Sequence, residues 1–198
     1  MKFFTELIFY TLVGIFAQNL LLCGGVGVDA AIRLAERPKR MFMTAGLISL
    51  FSALTIVDRW LIGLLEDAFP AVEPYSVMLR VLLQAIICIL LLVVLGKINH
   101  QKTLLLRGLI PSAAFSNIVI MIGMTSKLIG RSVPQLLGYS VGTGVAFILV
   151  SLLIREAIGR IGNPDMNRAF LGLPSLLIYI GILAMAFVGF TGSPLLFI

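Results

Sequence analysis

Six stretches of mostly apolar residues, at roughly 4–28, 42–63, 75–96, 103–126, 134–158 and 171–192, alternate with short polar segments. Several reach the ~20 residues that a helix needs to cross a bilayer. The pattern predicts an all-α membrane protein of six transmembrane helices, one compact domain over residues 1–198 with short loops. Pro174 falls in the first turns of the sixth span, where proline is tolerated.

Two of the six stretches are irregular. From Phe3 to about Ala35 a continuous helix would be about 50 Å long at 1.5 Å per residue, well beyond a ~30 Å hydrocarbon core. Within it "LLLCGGVGVDAAIR" carries Cys23, three glycines (Gly24, Gly25, Gly27) and then Asp29. Each glycine weakens a helix by about 1 kcal/mol relative to alanine, and an aspartate at a bilayer centre costs roughly 2.5–3.5 kcal/mol. The fourth stretch has Gly108 and Pro111 early, Ser112, Ser116 and Asn117 centrally, and Gly123 late. Both are expected to be helices broken at membrane depth, which is tolerated only where backbone is buried in protein or faces a water-filled cavity. The competing expectation is that the glycines serve close packing, with Asp29 at the membrane edge and Asn19 as interhelical glue.

The spans divide into two halves of three, about 1–98 and 99–198. "NLLLCGG" at 19–25 and "NIVIMIG" at 117–123 share an asparagine and a glycine six positions on. Because three is odd, a repeated three-helix unit must re-enter upside down. Inverted repeats place their site near the midplane, on discontinuous helices. The candidate site residues are therefore Asn19, Cys23, Gly24, Gly25, Gly27, Asp29, Asn117 and Gly123. Arg33, four residues after Asp29, would share its helical face. On the fifth span Gly138, Ser140, Gly142 and Gly144 read as a packing seam.

Composition adds weight to the membrane assignment: 60% of residues are hydrophobic and only 12% charged, against about 25% charged in soluble domains. The first stretch outruns a signal h-region and lacks an A-x-A site. The net charge of +6 is distributed by side. Ten Lys and Arg residues fall between spans 1 and 2, 3 and 4, or 5 and 6, and five on the other side (Lys2, Arg59, Arg80, Lys127, Arg131). The positive-inside rule then puts both termini outside a bacterial cytoplasmic membrane. Basic charge here sets topology, and nucleic acid is not an expected partner. Cys23 and Cys88 both lie in spans, and His100 is the only histidine, so neither a disulfide framework nor a zinc site is expected. No Ser/His/Asp, nucleotide or HExxH motif appears, so catalysis by this chain alone is not expected.

The stretches "LGYSVGTGVAFILVSLLIREAIGR", "AMAFVGFTG", "YSVMLRVLL", "RGLIPSAAFSN" and "QNLLLCGGVGVD" together resemble the membrane subunit family of the Rnf complex and the sodium-translocating NADH:quinone reductase. The match is densest in spans five and six. The resemblance implies six helices in an inverted repeat with the first and fourth broken. It also implies one iron-ligating cysteine in each broken helix, with a partner subunit supplying two more. Matched to those positions, this chain has Asp29 at the first and Ile118, or Asn117, at the second, neither carrying sulfur. Cys23 lies six residues before Asp29, about 9 Å along a helix and roughly 240° around it, and does not replace the ligand. Aspartate is a poor substitute for thiolate on an iron–sulfur cluster, so no cofactor is expected.

Three functions follow as expectations. The first is a subunit of a redox-coupled electron- or ion-transfer complex, alongside other membrane subunits or a homologous one. The second is a metal-free transporter or homodimeric channel-like protein on the same scaffold, with Asn19, Asp29 and Asn117 at the breaks. The third is a scaffold or assembly subunit with no site of its own.

Overall fold

The computed structural model describes residues 2–98, 104–129, 132–161 and 172–191. His100, the only histidine, and Lys102, Arg131 and Arg168 of the charge reading lie outside them. The described residues are all-helical: α1 (Lys2–Leu12) running into a π-helical turn (Val13–Ala17), α2 (Leu20–Gly24), α3 (Val28–Ala35), α4 (Pro38–Ala68), a 3-10 segment (Pro70–Tyr75), α5 (Ser76–Ile98), α6 (Leu104–Ala114), α7 (Asn117–Ile129), α8 (Val133–Ile161) and α9 (Leu173–Thr191). Among the described residues, four helical stretches are long and apolar enough to cross a membrane: Lys2–Gly24, Pro38–Ala68, Glu73–Lys97 and Val133–Ile161. Helices α6 and α7 make a fifth if taken as one span bent by 41°. The sixth predicted span is a shorter apolar helix, α9, with Pro174 at its second position.

Helix α8 is the axis of the fold, with 61% of its apolar window buried against 17% for α5. It packs on α1, α3, α4 and α9, while α4 packs on α6 and α7. Helices in lipid gain little from hydrophobic burial against one another, so close backbone approach carries the packing. The small residues of α8 provide it. A β-carbon on Gly138 would overlap the Leu7 carbonyl of α1, and one on Gly142 the Thr11 carbonyl. One on Gly144 would overlap Ser49 of α4. The fifth-span glycines thus form a two-sided seam. By contrast α5 and α9 turn Leu82, Ile86, Ile89, Leu177, Ile182 and Met185 outward, as expected of lipid-facing surface.

Candidate functional site

The first predicted span breaks twice, once where the glycines predict it and once before them. At Gln18 the Gln18 N–H donates to the Val13 carbonyl at 2.8 Å, one residue beyond α-helical spacing, and the chain turns. The buried Tyr139 hydroxyl of α8 donates to the freed Gln18 carbonyl at 3.0 Å. Asn19, 1% exposed and in extended conformation, restarts the helix. Its Oδ1 accepts from the Leu21 and Leu22 N–H groups at 3.1 and 3.3 Å, and its Nδ2 donates to the Ile15 carbonyl at 2.9 Å. Backbone left open by the break is therefore satisfied by the cap and by α8, as burial requires.

The second break follows α2. Gly25 and Gly27 have φ of 65° and 81°, left-handed values that only glycine adopts cheaply. The Val26 N–H donates to the Leu20 carbonyl at 3.0 Å, and the Gly27 carbonyl accepts from Ala31 at 3.1 Å to open α3. Gly27 is also where the two irregular spans meet. Its α-carbon lies so close to Ile118 of α7 that a β-carbon would overlap the Ile118 side chain. The fourth span breaks at Phe115–Ser116, where the Ser116 hydroxyl accepts from the Ile118 N–H at 3.4 Å.

The candidate residues thus separate into three places. Asn19, Cys23, Gly24, Gly25 and Gly27 build the breaks of the first span, with Cys23 half-buried. Asp29 and Asn117 are exposed. Asp29 pairs with Arg33 along one face of α3 at 2.8 Å, with side chains 62% and 70% exposed. Gly123 lies further along α7, where its carbonyl accepts from Arg80 Nη1 at 2.7 Å.

That last contact marks a polar cluster that the hydropathy pattern hid. Asp58 of α4 and Arg80 and Gln84 of α5 are 3%, 8% and 4% exposed. With Thr55 and Gly123 they line a cavity of about 20 Å³ between α4, α5 and α7. Asp58 Oδ1 and both polar atoms of the Gln84 amide have no hydrogen-bond partner among the described residues. Arg80, assigned to the outer side by the charge reading, is buried inside the protein. The sequence signal was an acid near the end of one apolar run, with Arg80 and Gln84 at i, i+4 in the next. Ionisable residues within a span are expensive and face the interior or a partner.

The donors at the junction do not fit an iron–sulfur cluster. Gly27 meets a branched alkyl side chain, Asp29 faces outward beside Arg33, and no thiol stands at either matched position, whereas such clusters are held by thiolates. Among the described residues no three His, Cys, Asp or Glu side chains group closely enough to hold a metal.

The chain is 25% identical over 180 residues to the RnfA-type subunit of the ion-translocating oxidoreductase complex of Glaesserella parasuis serovar 5, over 90% of this chain and 89% of that protein. The two are distant homologues along nearly their whole length. No protein-family model matches the chain.

Proposed function

We propose that this distant homologue of an ion-translocating oxidoreductase subunit works as a membrane component of a complex of the Rnf/Nqr kind, contributing to ion translocation without carrying a cluster of its own. The observation that carries the reading is homology over nearly the entire chain, since shared fold alone would not fix function. In this reading the chain has six spans in two inverted repeats, about 1–98 and 99–198, with both termini outside. The pairing of elements supports that arrangement: α1 packs on α8 as α6 packs on α4, and α9 lies against α2 as α5 lies against α7. The breaks correspond at Gln18–Asn19 and Phe115–Ser116, so the repeat register runs through the caps Asn19 and Ser116 rather than through Asn19 and Asn117. Lipid and neighbouring membrane subunits are its partners.

Mild-detergent purification of the tagged full-length chain from its native membrane, with identification of what accompanies it, tests this. Co-purification of flavin- or iron–sulfur-bearing membrane subunits is the expected result. Recovery as a self-contained homodimer would favour a metal-free transporter instead, a reading that the sulfur-free junction and the buried Asp58 cluster also suit.

A further inference from the structure

We propose that Asp58, Arg80 and Gln84 form a proton-exchange site inside the bundle, in which Asp58 takes up a proton and Arg80 is the counter-charge that its uptake releases. The inference rests on the chain being an ion-translocating membrane protein, in either form given above.

The cavity holds four polar side chains, Thr55, Asp58, Arg80 and Gln84, in an otherwise apolar wall of Val77, Val81, Val119, Ile120 and Met124. A buried carboxylate oxygen and a buried amide without partners are costly arrangements, and native structures complete them with water or a bound species. About 20 Å³ suffices for one water, which needs roughly 10–15 Å³. It does not suit a calcium or magnesium ion. Calcium takes 6–8 oxygen ligands and magnesium an octahedral set, whereas the unengaged oxygens here come from one carboxylate and one amide, next to a guanidinium. A proton needs no extra room.

The exchange balances simply. A hydronium entering the cavity gives its proton to a carboxylate oxygen of Asp58 and remains as water, and nothing is oxidised or reduced. The new O–H can donate to Gln84 Oε1, which otherwise has no partner. Arginine stays charged, so neutralising Asp58 removes an opposite charge from beside Arg80. Arg80 is the fifth residue of α5, about 6 Å from the start of that helix, and can extend toward it. Its bond to the Gly123 carbonyl would then break, loosening α5 from the second half of the broken span. Among the described residues few other charges bear on Asp58. Among the described residues α7 contributes none to the cavity wall, Arg59 of α4 lines a different cleft with Trp60, Asp67 and Leu136, and Glu73 of the 3-10 segment is exposed.

Infrared difference spectroscopy of the full-length chain in liposomes, stepped in pH, reads this directly. A protonated-carboxyl C=O band should grow as pH falls, vanish in Asp58→Asn and move in frequency in Asp58→Glu. In Arg80→Gln it should appear at higher pH, because removing the cation favours the neutral acid. No Asp58-dependent band at any pH, or a midpoint unmoved in Arg80→Gln, would overturn the proposal. A midpoint that shifts with sodium at constant ionic strength would overturn it in favour of a metal cation. None of these readings depends on which subunits co-purify, so the site and the complex assignment fail separately.

Discussion

Gly27 carries two constraints at once, and substitutions can separate them. Gly25 has a left-handed backbone with nothing near its absent side chain, whereas Gly27 has the same backbone and Ile118 against it. Gly25→Ala should cost about 1–2 kcal/mol, the penalty of left-handed backbone for an L-residue. Gly27→Ala should cost clearly more. Thermal unfolding in detergent measures both. Combining Gly27→Ala with Ile118→Ala should cost less than the two separate changes added together, since residues in contact couple; strict additivity would mean that the junction is not formed. Asn19→Ala should lose about 1–2 kcal/mol, because it removes a cap serving two buried N–H groups. Asp29→Asn breaks only an exposed i, i+4 pair, worth about 0.3–0.5 kcal/mol, so its stability should barely change. A loss of ion translocation in that variant would then report a functional charge rather than a folding defect.

At the scale of elements, the seam on α8 decides which helices can touch. The neighbours that a larger side chain would meet at Gly138 and Gly142 are backbone carbonyls of α1, which cannot rotate away as a side-chain tip can. Gly142→Val should therefore destabilise by at least the 1–3 kcal/mol typical of overpacking and separate α1 from α8. Gly46→Ala and Gly159→Ala, where nothing lies within 4 Å of the added carbon, should be neutral or slightly stabilising, given alanine's higher helix propensity. Comparing the midpoints of the three variants checks the assignment. Equal losses in all three would show that glycine is needed for flexibility rather than for space.

For the whole molecule, topology and metal content are the open quantities. Single cysteines introduced as Pro38→Cys and His100→Cys, on a background with Cys23 and Cys88 changed to serine, should label from the cytoplasmic side; external labelling of either would reverse the orientation. Elemental analysis of the anaerobically purified chain should find no stoichiometric iron, because the matched ligand positions hold Asp29 and either Ile118 or Asn117, none with sulfur. One iron per chain or per dimer, lost in Cys23→Ser, would show that the break is matched in the wrong register.

What the sequence determined by itself was the solvent and the punctuation. Runs such as 134–158 are too apolar to face water, and a backbone in lipid must close its own hydrogen bonds, so the helices at those positions follow from composition alone. Gly25 and Gly27 ended a helix where they stand because only glycine enters left-handed backbone cheaply. The tertiary structure decided the rest. The extra break at Gln18 is completed by a hydroxyl 121 residues away on Tyr139, and only its cap, Asn19, is a local signal. Arg80 reads as a flank of the third span until α4 and α7 enclose it with Asp58 and the Gly123 carbonyl, 43 residues on. Hydropathy averages over a window along the chain, whereas the pairing of buried charges is settled between helices, by which faces their packing brings together.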